Sequence, residues 1–109
     1  MPRKTYNKLI RDRIPEILKN NGKTAAIRSL RDTEFRKALL DKLAEEANEC
    51  AEANNTEDIK DELADVQEVL NALAETFSIS LEDVERRRST KYEERGGFKE
   101  RLFLEYVDE

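Results

Sequence analysis

Two acidic clusters at a set separation constrain this chain more than any other feature. Glu45-Glu46-x-x-Glu49 is followed, after twelve intervening residues, by Glu62-x-x-Asp65. Both lie in segments whose apolar residues recur every three or four positions, so the acids of each cluster fall on neighbouring parts of one helix. Two helices run antiparallel through a short turn would bring four carboxylates together. Like charges at close range repel, and a hard cation relieves that repulsion. The spacing therefore outlines a divalent-metal site between two helices.

The flanking pattern supports the helices. Asp32 or Thr33 is placed to cap a helix reaching about Asn54, with Phe35, Leu39, Leu43, Ala47 and Cys50 as its apolar stripe. At about 100° per residue, Glu46 borders that stripe and Glu49 lies about 60° further round. Asn54-Asn55 makes the turn, and Thr56 is expected to cap the next helix, with Glu57 and Asp58 in its first turn. That helix runs to about Phe77, with Ile59, Leu63, Val66, Leu70, Leu73 and Phe77 expected inward. Glu62 falls inside this apolar stripe, about 40° from Val66, and Asp65 flanks it. Acidic pairs at this spacing also decorate solvated helix faces, but a carboxylate on a buried face is costly unless paired or metal-bound. Such a local violation of pattern tends to mark function.

Before these helices, Pro15 opens a short helix to about Asn21, closed near Gly22. Thr24 to Leu30 and Arg101 to Val107 are the two strand-like runs, expected to pair with each other and pack on the helices. Ser80 caps a last helix that continues to about Glu94 and stops at Gly96-Gly97. On it Arg88, Lys91 and Arg95 share a face. The expected fold is thus one mainly α domain over residues 1–109 with a small two-stranded β element at about 24–30 and 101–107.

Composition fits that picture. Charged residues make up 41% of the 109, against roughly a quarter in ordinary domains, and hydrophobic residues 38%. Few aromatics, three Gly and two Pro favour helices, and the modest core suits a chain that completes itself by pairing with a second copy. No apolar run approaches the roughly 20 residues needed to span a bilayer, and no signal-peptide pattern follows Met1, so a cytoplasmic protein without a membrane partner is expected. Cys50 is alone, which leaves no internal disulfide and no thiolate zinc site. Histidine is absent, removing the commonest general base. Charge is unevenly spread. Residues 1–31 carry nine Lys/Arg against two Asp/Glu, residues 32–68 four against thirteen, and residues 69–109 seven against ten. Such opposed blocks either neutralise each other across the fold or serve a ligand that is both metal-bound and phosphorylated.

The available donors favour the second use. All-oxygen ligands suit Mg²⁺, or alternatively Mn²⁺, and Mg²⁺ binds through a few carboxylates plus substrate phosphates. The expected reaction is metal-assisted attack of water on a polyphosphate. Glu46, Glu49, Glu62 or Asp65 would hold the metal. A nearby free carboxylate such as Glu45 would orient or deprotonate the water, while Lys and Arg from outside the cluster would bind phosphate.

Taken together, these residues resemble the MazG-like all-α nucleoside triphosphate pyrophosphohydrolases. Tyr6-Asn-Lys-Leu-Ile-Arg-Asp-Arg-Ile-Pro15 and Lys91-Tyr-Glu-Glu-Arg-Gly-Gly-Phe98 resemble a house-cleaning subgroup of that superfamily. The resemblance implies a four-helix core, often built across a homodimer or larger assembly. It also implies Mg²⁺-dependent cleavage between the α and β phosphates of noncanonical nucleoside triphosphates, giving a nucleoside monophosphate and pyrophosphate, with no nucleic acid polymer as partner. Position by position, Glu46, Glu49, Glu62 and Asp65 match the metal ligands, and Glu45 the leading acid of the motif. Together with Glu46, Glu45 is a catalytic candidate. Lys8, Arg11, Lys91 and Arg95 match the basic flanks and are candidates for phosphate. Phosphoribosyl-ATP pyrophosphohydrolase shares the acidic motif, but the Ser-Tyr-Thr segment expected upstream in that enzyme has no match here. A non-catalytic helical module using its acidic faces to hold a partner is the alternative of another class.

Overall fold

A computed structural model describes residues 2–108 and places four helices among them: α1 (Ile14–Asn20), α2 (Asp32–Glu52), α3 (Thr56–Thr76) and α4 (Leu81–Arg95). Local chemistry explains most of the boundaries. Pro15 sits in the first turn of α1, where its missing N–H costs nothing. Asn55, rather than Thr56, caps α3: its side-chain oxygen accepts from the Asp58 N–H at 2.9 Å. Ser80 accepts from the Glu82 and Asp83 N–H groups at the start of α4, as its sequence suggested. Between α3 and α4 the chain turns through Ser78, which takes a left-handed backbone (φ 54), while the Ile79 N–H bonds back to the Ala74 carbonyl at 2.7 Å.

The packing unit is the α2–α3 hairpin. Three residues, 53–55, connect the helices, so they run antiparallel. At the far end the Arg36 guanidinium on α2 lies 5.0 Å from the centre of the Phe77 ring that follows α3. Leu39, at 3% exposed, and Val69 supply the buried apolar contacts, with Ala74 nearer the end of α3. Glu46 is buried with them, whereas Ala47, expected in the apolar stripe, is exposed.

Two expectations are corrected. Neither 24–30 nor 101–107 forms a strand, and no strand occurs among the described residues. Leu102, Phe103, Leu104 and Tyr106 are all more than three-quarters exposed, so no helix face covers them. A strand pair without a packed face is not stable in water. The second correction concerns α3. Its apolar positions Ile59, Leu63, Val66, Leu70, Leu73 and Phe77 repeat at alternating four and three residues, a heptad seam. Only Val66 and Leu73 are half-buried. Ile59, Leu63 and Leu70 face outward because α2 docks on the flank carrying Glu62, Asp65 and Val69.

The result is an open molecule. Its radius of gyration is 18.5 Å, against about 13 Å for a compact domain of this length. Its accessible surface of 10571 Å² exceeds the roughly 6,200 Å² of a monomeric protein of this mass. No helix among the described residues is long and apolar enough to cross a membrane.

Candidate metal centre

Glu46 and Glu49 lie on adjacent turns of α2, and Glu62 faces them from α3, seven residues beyond the Asn55 cap. One carboxylate oxygen from each of the three lies within 4.8 Å of the other two. Leu39 on α2 and Val69 on α3 are both buried, and the packed α2–α3 face they belong to brings the acidic positions of the two helices together.

Glu46 is only 7% exposed and Glu62 is half-buried. The Oε2 atoms of both are buried without a hydrogen-bond partner. Orphaned carboxylate oxygens are rare because each forfeits its hydration without compensation. Burial, then the neighbouring Glu49, and more weakly Asp65, push the Glu46 carboxyl above its ordinary value, with Lys42 at 3.5 Å pulling against them. Glu62 is raised in the same order of causes: burial first, then the charges of Glu49, Asp65 and Glu46. The cluster is thus short of positive charge and of donors. Hard oxygen ligands in this state fit a small divalent cation, which would take up both orphaned oxygens.

The outer acids are already engaged. Glu45 stands outside the triad and accepts from Lys8 Nζ at 3.0 Å and Lys42 Nζ at 3.2 Å. Burial alone would raise its carboxyl, but these two bonds outweigh it and hold Glu45 below the ordinary carboxylate value. Asp65 accepts from Arg11 at 2.7 Å. It stands beside the triad rather than within it, near enough for its charge to act on Glu46 and Glu62. An acidic concavity opens next to the triad, lined by Glu49, Glu52, Asn54, Asp58, Asp61 and Glu62, with a volume of about 270 Å³.

Of the four basic candidates, the structure brings two to the cluster and leaves two away from it. Lys8 and Arg11 arrive from the segment before α1. Lys91 and Arg95 line a separate basic concavity on α4 with Arg86 and Arg87. No ion pair joins α4 to the acidic cluster among the described residues; Arg86 and Arg88 pair with Asp83 and Glu85 of their own helix. The acids Glu52, Asp58 and Asp61 at the mouth were passed over in sequence because they look like ordinary solvated helix ends. Their place beside a turn only three residues long was the available signal.

Residues 35–97, more than half of the chain, match the family model described as the MazG nucleotide pyrophosphohydrolase domain. The match covers all but the first three residues of α2, and all of α3 and α4, and so contains all five acids of the motif. An uncharacterized protein of Mycolicibacterium smegmatis is 48% identical over 46 residues, which span 42% of this chain and 47% of that protein. The chain thus aligns with about half the length of this curated relative. No solved structure matches.

Proposed function

The chain belongs to the MazG nucleotide pyrophosphohydrolase domain family, and from that premise we propose that it is a Mg²⁺-dependent nucleoside triphosphate pyrophosphohydrolase acting on noncanonical nucleotides. The observation that carries the metal is the pair of buried, unpartnered Glu46 and Glu62 oxygens beside Glu49. Glu46, Glu49 and Glu62 would hold the ion, with Asp65 joining when it leaves Arg11. When bound, a cation of this kind offsets the charge of the polyphosphate and makes water a better nucleophile.

The chain's own residues supply the rest. Water attacks the α-phosphorus, the bond from it to the bridging oxygen breaks, and pyrophosphate leaves with that oxygen. Glu45 is kept ionised by Lys8 and Lys42, and its role is to orient the attacking water and accept its proton, which it then passes to solvent. Lys8 and Arg11 stand at the edge of the cluster, where phosphate oxygens would lie.

A second copy completes the site in this reading. The uncovered seam of Ile59, Leu63 and Leu70, with the large excess of surface, supports a homodimer in which two hairpins make a four-helix core. Lys91 and Arg95 would reach phosphate only through such an assembly.

A panel of canonical and damaged nucleoside triphosphates, incubated with Mg²⁺ and analysed for products, tests the reading. Nucleoside monophosphate and pyrophosphate in equal amounts, lost with chelator, are expected. Turnover confined to phosphoribosyl-ATP would assign the histidine-pathway enzyme instead, and no turnover with no Mg²⁺ affinity would leave a binding module.

A further inference from the structure

Residues 7–11 lie beside the acidic cluster and tie both of its helices to one segment. Asn7 takes a left-handed backbone (φ 47), a conformation that asparagine tolerates better than most residues. It follows Tyr6, whose ring centre lies 5.0 Å from the Lys4 ammonium and 5.7 Å from that of Lys8. Leu9 and Ile10 are half-buried, so the segment is seated on the protein. Either side of these anchors a cation reaches an acid: Lys8 donates to Glu45 on α2, and Arg11 donates to Asp65 on α3. Lys8 also feels the charges of Glu49 and Glu46. The Asp65 Oδ1 atom accepts from the guanidinium at 2.7 Å, so an ion drawing on this carboxylate meets a positive charge already beside it.

We infer that residues 7–11 form a cationic strap that competes with a divalent cation for Asp65, and that yields Arg11 to substrate phosphate when the cation takes Asp65. The inference rests on the metal-dependent reading above. A guanidinium and a metal ion held by one carboxylate repel each other and share its negative charge, so each weakens the other there. A metal ion that draws Asp65 away frees a bidentate phosphate donor. A phosphate that draws Arg11 away frees a metal ligand. By linkage the two ligands therefore favour each other's binding through this residue pair, beyond their direct contact.

Titration with Mn²⁺, with the free ion followed by electron paramagnetic resonance, tests this on the full chain. Wild type, Arg11→Gln and Lys8→Gln are compared with and without a non-hydrolysable nucleoside triphosphate analogue, with circular dichroism confirming that each is folded. Arg11→Gln should bind Mn²⁺ alone about two- to fivefold more tightly than wild type, the range set by partly exposed ion pairs. It should also gain less Mn²⁺ affinity from the analogue than wild type does. Lys8→Gln should shift Mn²⁺ affinity in the same direction by less, and it carries the comparison should Arg11→Gln fail to fold. Equal or weaker Mn²⁺ binding by Arg11→Gln in a wild type that does bind Mn²⁺ overturns the strap alone. No Mn²⁺ binding by any of the three overturns the metal-dependent reading and the strap with it.

Discussion

Glu62 is the residue on which the account turns, because its position makes no sense as a solvated acid. Replacing it with Gln removes a ligand charge while keeping its volume. Changing groups that merely support a metal site costs about 10–100-fold in activity, so losing a ligand should lower kcat/KM by roughly 100-fold or more. Steady-state kinetics of Glu62→Gln with Mg²⁺ would show it, and full activity would remove Glu62 from the site. The raised carboxyls of Glu46 and Glu62 also set a pH dependence. A carboxyl whose folded value lies above its unfolded one binds its proton more tightly in the native state. With a chelator present, the contribution of Glu46 and Glu62 to stability should therefore fall as pH rises from about the ordinary value of 4.5 through the raised ones, against the opposite trend of Glu45, which is held low. Adding Mg²⁺ at neutral pH should offset that loss. Thermal unfolding of wild type and Glu62→Gln from pH 4 to 8 in chelator isolates the sign: wild type should lose stability relative to the variant as pH rises, and a wild type that gains on it would contradict the assignment.

The α2–α3 hairpin is the element that places the acids, and its stability rests on few contacts. Leu39→Ala should cost about 2–5 kcal/mol and loosen the Glu46–Glu62 approach with it. Asn55→Ala, which removes the α3 cap, should cost about 1 kcal/mol. Denaturant unfolding separates the two, since the cap change leaves the buried face intact. Both helices, and the acid misplaced on an apolar face, were legible in the sequence because helical periodicity is a local signal. Which flank of α3 meets α2 was not. The heptad seam of Ile59, Leu63 and Leu70 is as apolar as a core face, and no local pattern says whether a seam packs within a chain or between chains. The two β candidates misled for a related reason: residues 101–107 are strand-like in composition, but a strand exists only where something pairs with it. Nor could spacing show that Lys8 and Arg11 reach Glu45 and Asp65, contacts 37 and 54 residues apart in sequence.

At the scale of the whole molecule, the proposed homodimer would cover the outward-facing seam of Ile59, Leu63 and Leu70. Leu70→Glu places a charge on the uncovered seam without touching Leu39, Val69 or the acidic triad. Sedimentation should find wild type as a dimer and this variant shifted toward monomer, with helix content retained. A wild type that stays monomeric at micromolar concentration would leave the seam unexplained. The proposed activity requires carboxylates from two helices to grip one ion, and crystals soaked in Mn²⁺ with a nucleotide analogue test that most directly. An anomalous peak should appear about 2–2.2 Å from oxygens of Glu46, Glu49 and Glu62. Well-ordered side chains turned apart, with no peak between them, would contradict the account.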